Sequence, residues 1–151
     1  MDRSTFSIRL MKPDDFAVVV KIDEKVFKTP RQDYFRLRFE ELVQSTDRLP
    51  TSLVAEGEDG LVVGFVMGEL FIGEYGISHE ATLDTIVVDP DYRHRGVGER
   101  LIKEFMDHLK ALGARKISTL VDSNDSRLMQ FFTASGFSPS RTINLEHSLG
   151  K

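Results

Sequence analysis

The segment at 91–101 reads DYRHRGVGERL, which sets two arginines, Arg93 and Arg95, and a histidine, His94, directly before Gly96, Val97 and Gly98. It stands where an apolar run gives way to an amphipathic one. Strand, glycine loop and helix in that order present free backbone N–H groups to an anion at a helix N-terminus. The two glycines permit positive φ or close approach of an oxygen, and each arginine adds a charge-assisted donor worth roughly 1.5 to 3 kcal/mol. Arg93 through Gly98 could therefore hold a phosphate. An isolated R-x-x-G-x-G also describes a plain β–α turn with surface arginines. Two common phosphate loops are excluded, because a dinucleotide fingerprint needs glycine where Leu101 stands and a P-loop needs a lysine after Gly98.

The elements that must hold this loop follow from periodicity. Thr5 to Leu10 alternates as a short half-buried strand, and Pro13, Asp14 and Asp15 open a helix that Pro30 breaks. A second helix runs from Tyr34 to Val43 and stops before Pro50. Ser52–Glu56 and Leu61–Phe71 form a hairpin, with Gly64 and Gly68 weakening the second strand or marking bulges. The run ATLDTIVVD, from Ala81 to Asp89, is a buried strand, and Val97–Leu112 is an amphipathic helix closed by Gly113. Lys116–Val121 is a further strand, Asp125–Ser135 a helix closed by Gly136, and Thr142–Ser148 a last alternating strand. The order predicts an α/β fold with a mixed sheet flanked by helices, in a single domain spanning 1–151.

Composition narrows the function classes. A formal charge of −4 argues against general nucleic-acid binding, so any anion site is local. There is no cysteine, and His79, His94, His108 and His147 do not take the i, i+4 spacing of a helical zinc pair, so no metal is expected. No apolar run approaches the ~20 residues of a spanning helix, and nothing at MDRSTFSIRL resembles an export signal, which makes a cytoplasmic setting without membrane partners the expectation.

The stretch VVDPDYRHRGVGERLIKEF, followed by a strand and then DSRLMQFFTASGF, resembles the GNAT superfamily of N-acetyltransferases over about residues 80 to 137. Within it, EATLDTIVVDPDYRHRGVG is most similar to enzymes that acetylate the N-terminal alanine of a ribosomal protein. The resemblance implies the acyl-CoA N-acyltransferase fold, with a mostly antiparallel central sheet, and acetyl-CoA as cosubstrate. It places the pantetheine arm along the backbone of Ile86, Val87 and Val88, and the pyrophosphate on amides from Arg93, His94, Arg95, Gly96, Val97 and Gly98. An amide near Val87 or Val88 would meet the oxyanion of the tetrahedral intermediate. A cofactor-contacting asparagine maps loosely onto Asn124 or Asp125, for which an N-cap serves equally well.

Attack on a thioester needs a neutral amine, and a lysine or α-amino group is wholly or partly protonated at neutral pH. A base or water relay is expected. The period of two puts Asp84 on the side of Ile86 and Val88, with Glu80 two steps further back. Either carboxylate could take the proton through water, or each could simply pair with a cation. The family's usual acid, a tyrosine four residues before Gly-Phe, is replaced by Phe132, which cannot donate a proton. The strand position where the ribosomal enzymes carry a glutamate falls near Leu120. Tyr75 is the nearest spare phenol by sequence, beside His79, in a loop that could face the acceptor.

The leading reading is acetyl transfer to a primary amine, either a peptide N-terminus, a lysine or a small amine, by direct attack in a ternary complex. Two readings compete: a non-catalytic acyl-CoA-binding module marked by Phe132, and a nucleotide-phosphate enzyme using the same loop. A homodimer is compatible with all three.

Overall fold

The computed structural model describes residues 5–46, 48–72 and 79–150. Contacts divide the chain into two compact units, Met1–Leu120 and Val121–Lys151. The first carries a five-stranded sheet in sequence order: β1 (Phe6–Leu10), β2 (Leu53–Gly57), β3 (Val62–Ile72), β4 (His79–Val88) and β5 (Ala114–Ser118). The pairs β1–β2, β2–β3 and β3–β4 are antiparallel, whereas β5 lies parallel to β4. This is the mixed, mostly antiparallel sheet expected. The β2–β3 hairpin turns at Gly60, whose φ of 83° suits glycine, and Leu61 N donates to the Asp59 carboxylate at 3.1 Å.

Helices cover both faces of this sheet. On one side lie α1 (Phe16–Phe27), entered through a 3-10 turn at Pro13–Asp15, and α2 (Gln32–Arg38), which continues as a π-helical turn at Phe39–Val43. Val19, Ile22, Phe35, Phe39 and Leu42 from these helices pack with Val54, Phe65, Met67 and Val87 from the strands. The other side takes α3 (Val97–Ala111), whose Leu101, Phe105 and Leu109 are fully buried. Each such side chain contributes roughly 1.5 to 3 kcal/mol by leaving water.

Both strand glycines of β3 sit beside register shifts. The β2–β3 ladder slips between Ala55 and Glu56, next to Gly64, and the β3–β4 ladder slips between Met67 and Gly68. At the second slip Met67 faces Thr85 and Gly68 faces Leu83, so Asp84 is an extra residue on β4. A Cβ on Gly68 would come 2.2 Å from the Thr82 carbonyl oxygen and 2.4 Å from the Phe105 ring, so only glycine lets the bulge and α3 close together.

The bulge overturns one expectation. A simple period of two puts Asp84 on the face of Ile86 and Val88, but the inserted residue shifts the phase. Val88 pairs with Gly64, whose missing side chain would point at Leu101 and Val97, which places Val88 on the α3 side. Asp84 instead reaches Arg38 of α2. It shares the face of Val87, which packs in the α1–α2 core.

Two further boundaries differ from expectation. The last strand of the sheet spans Ala114–Ser118 rather than Lys116–Val121. Beyond it, Thr119 offers its hydroxyl instead of a ladder bond, donating to Leu83 O at 2.9 Å, and Leu120 is 85% exposed.

The second unit is built on α4 (Ser126–Ala134), capped at its start by the Asp125 carboxylate, which accepts from Leu128 N at 3.0 Å. Phe132 is buried, with Phe131 and Phe137 edge-on at 5.3 and 5.2 Å. Thr142–Ser148 does not form the strand its alternation predicts. Among the described residues of this unit no strand lies beside it, so its backbone has no ladder to join, and Ile143 and Leu145 stand exposed.

Candidate active site

The site begins where β4 loses its second neighbour. Pairing with β5 covers His79 to Thr82, and pairing with β3 continues to Val88 opposite Gly64. From Asp84 onward β4 has β3 on one edge and, among the described residues, no strand on the other. The direction of its backbone groups follows from strand geometry. Asp89 N donates to Val63 O on β3 at 2.8 Å, and the Val87 carbonyl also points toward β3, 3.1 Å from where a Gly64 side chain would begin. Successive residues alternate edges, so the amides and carbonyls of Val88 and Ile86 turn to the open side. An extended ligand can add there as a strand does.

The open edge leads directly into the glycine loop. Asp89, only 8% exposed, caps a 3-10 turn at Pro90–Tyr92 by accepting from Asp91 N at 3.0 Å. Lys25 of α1 reaches the other Asp89 oxygen at 3.0 Å and Asp91 at 3.6 Å, and hydrogen bonding to Asp89 raises the Lys25 ammonium's pKa above its usual range. One acidic side chain thus anchors the loop to both its own backbone and a neighbouring helix.

Positive φ values occur at His94 (65°) and Gly96 (81°), the latter directly before α3. Glycine adopts that region freely, but a histidine there stores strain, which is common where a loop is shaped for a ligand. The amides of Val97, Gly98 and Glu99 open the first turn of α3 and have no acceptor within the helix. Arg93, His94 and Arg95 are exposed, with the Arg95 guanidinium 5.1 Å from the Tyr92 ring centre. The arrangement can receive an anion at the end of a strand whose second edge, among the described residues, has no neighbouring strand.

The two carboxylates weighed as bases lie on the α2 side. Asp84 binds Arg38 through one oxygen and accepts from the Thr82 hydroxyl at 3.1 Å through the other. Arg38 also meets Glu69 of β3 at 3.3 Å, and Arg48 holds the second Glu69 oxygen. Burial pulls the Arg38 pKa down, but Asp84, Tyr34 and Glu69 outweigh it and raise it, so the guanidinium stays charged. The Tyr34 phenol is pushed up chiefly by burial and stays protonated at neutral pH. Glu80 is exposed and pairs with Lys116 of β5 at 3.0 Å. Sequence reading had no means to find Arg38, Arg48 or Lys25, because the carboxylates of Glu69, Asp84 and Asp89 that they meet lie 21 or more positions away and no local pattern announces them. Tyr75 lies outside the described residues.

Asn124 and Asp125 belong to the second unit. Asn124 N donates to the Asp122 carboxylate at 2.8 Å, and the Asp125 carboxylate caps α4. No group of three or more metal-ligating side chains occurs among the described residues. Nor is any described helix long and apolar enough to cross a membrane.

Known proteins resemble this chain in sequence and in fold. The chain is 29% identical over 86 residues to a mycothiol acetyltransferase of Propionibacterium freudenreichii, a match covering 57% of this chain and 27% of the relative. It is 33% identical over 58 residues to the [ribosomal protein bS18]-alanine N-acetyltransferase of Escherichia coli K12, covering 38% of this chain and 39% of the relative. The matches therefore span well under half of either relative. Among solved structures, the aminoglycoside acetyltransferase AAC(6')-Iy bound to the bisubstrate analogue CoA-S-monomethyl-acetylneamine superimposes with a TM-score of 0.78 at 22% identity, covering 96% of this chain and 99% of that one. Glucosamine-6-phosphate N-acetyltransferase of Arabidopsis thaliana gives 0.72 at 20% identity, covering 97% and 100%. The profile of the acetyltransferase (GNAT) family matches residues 16–137, most of the chain. On that match and this fold, the chain belongs to the GNAT acetyltransferase family.

Proposed function

We propose that this chain transfers an acetyl group from acetyl-CoA to a primary amine by direct attack within a ternary complex. The observation that carries the reading is the open edge of β4 at Ile86 and Val88 running into an anion cradle at Arg93–Gly98, which matches the two chemistries of coenzyme A, an amide-bearing arm and a pyrophosphate. The family membership supports it, as do structural neighbours solved with coenzyme A and with a bisubstrate analogue.

In this reading the pantetheine amides pair with Ile86 and Val88, and the amides at the start of α3 take the pyrophosphate, helped by Arg93 and Arg95. The amine nitrogen attacks the thioester carbon, a C–N bond forms, and the carbonyl oxygen becomes an oxyanion. The Val88 amide, on the open edge, is placed to donate to it. Collapse breaks the C–S bond and releases CoA thiolate, while the amine's proton leaves through water toward Asp84 or Glu80. Phe132 supplies no proton. A thiol has a pKa near 8.5, so the thiolate departs and is protonated by solvent. The acceptor is a peptide N-terminus, a lysine or a small amine.

Free CoA release tests this. With acetyl-CoA and a panel of amines, amine-dependent thiol release is expected. Thermal stabilisation by CoA without turnover on any amine would instead establish a binding module, and stabilisation by ATP but not CoA would establish a nucleotide enzyme.

A further inference from the structure

Arg38 places a charge on a stripe that is otherwise apolar. Phe35, Phe39 and Leu42, on the same side of the helix, are each no more than 5% exposed, and the Arg38 side chain itself is only 15% exposed. Its guanidinium meets carboxylates from three directions: Asp84 of β4, Glu69 of β3 at 3.3 Å, and Glu41 of its own helix at 3.7 Å. Stability does not require such a cluster. Charges drawn out of water pay a desolvation cost, and apolar residues of similar volume often serve as well or better.

Two backbone irregularities converge on this pair. The α-helix changes to a π-helical turn at Phe39, the residue after Arg38. Asp84 is the extra residue of the β4 bulge. Wide helical turns are frequent at functional sites, and bulges re-aim side chains beside them. Here a helix and a strand each depart from regularity at the residue that contributes one half of a single ion pair. That pair stands where β4 parts from β5, between the last β5 partner, Thr82, and the open-edge residue Ile86.

We infer that Arg38 is a positioning residue for amine acetylation. It holds one oxygen of the bulged Asp84 while Thr82 holds the other, and so fixes the direction of the lone pairs left for the incoming amine or its water. The inference rests on the acetyl-transfer reading. Arg38 itself exchanges no proton; it acts through Asp84, and Arg48 leaves Glu69 partnered when Arg38 is gone.

The test is a double-mutant cycle on amine-dependent CoA release, using wild type, R38M, R38K, D84N and R38M/D84N, with CoA affinity measured on each by calorimetry. R38M is expected to lower kcat by about 10- to 100-fold while CoA affinity stays within about twofold, and R38K to recover part of the loss. In the D84N background R38M is expected to add less than about threefold, because both changes remove one function. Losses that multiply, or a loss lying wholly in CoA affinity, would overturn the assignment and leave acetyl transfer standing. A wild type that binds CoA yet turns over no amine would overturn both. Should R38M fail to fold, the cycle is closed with R38K and R38K/D84N, and the same non-additivity is required.

Discussion

Asp84 owes its direction to a residue across the ladder. Because Gly68 has no side chain, β4 can carry one extra residue and still close against Phe105, and that residue faces α2 instead of α3. Adding one methyl should therefore act on both fold and site: G68A is expected to lose about 3 kcal/mol in urea unfolding, the upper range for overpacking. At Asp84, D84N should reduce amine-dependent CoA release by about 100-fold, the low end for a lost general base, with CoA binding intact. Equal losses of turnover and CoA affinity would remove Asp84 from the proton path. In the loop, Gly96 sits at a φ of 81° with nothing closer than 3.6 Å to its absent Cβ, so the backbone rather than space demands glycine. G96V should weaken CoA by about fivefold or more, since a β-branched residue costs about 1 kcal/mol or above at that φ.

At the scale of elements, ion pairs set how the helices meet the sheet. Asp15 ends the 3-10 turn before α1 and is bound by the two terminal guanidinium nitrogens of Arg9 on β1, at 2.9 and 3.0 Å, and by Lys12 N at 2.7 Å. Burial pushes its carboxyl pKa up, but Arg9 and the Lys12 amide outweigh burial and hold it below the usual carboxylate range. A depressed folded pKa means the stabilisation is present above the unfolded value near 4 and is lost as pH falls through the folded one. D15N should thus cost about 1 to 3 kcal/mol at pH 7 in denaturant titrations, and the gap to wild type should narrow below about pH 4. A gap that stays constant to pH 2 would contradict the pairing.

Much of this layer was legible in sequence, for a physical reason. The stripe Val97, Leu101, Ile102, Phe105, Leu109 is buried because a 3.6-residue period must face one side, and Gly64 and Gly68 marked register slips because glycine tolerates close backbone approach. The loop after Val88 was legible through its glycines and arginines. The phase of Asp84 was not, since an inserted residue looks like any other residue in ATLDTIVV until its partner strand is known. Arg38 was equally hidden, as its carboxylates come from β3 and β4. The strand expected at Thr142–Ser148 shows the same limit, because alternation states a side-chain preference while a ladder needs a neighbour.

For the whole molecule the net charge is −4, while the loop before α3 carries two arginines, Arg93 and Arg95. The exposed Arg93 and Arg95 should make coenzyme affinity fall with salt, moderately, because backbone amides rather than screened side chains supply most of the grip. Binding to the native state alone should raise stability by about 2.7 kcal/mol at a hundredfold excess of CoA over its Kd. Residue-resolved amide exchange by NMR, with and without saturating CoA, examines the open edge of β4 itself. The amides of Ile86, Val88, Val97 and Gly98 should become strongly protected on binding, while Val87, already turned toward β3, should change little. Saturation of the protein with CoA that left Ile86 and Val88 exchanging as freely as before would contradict the account.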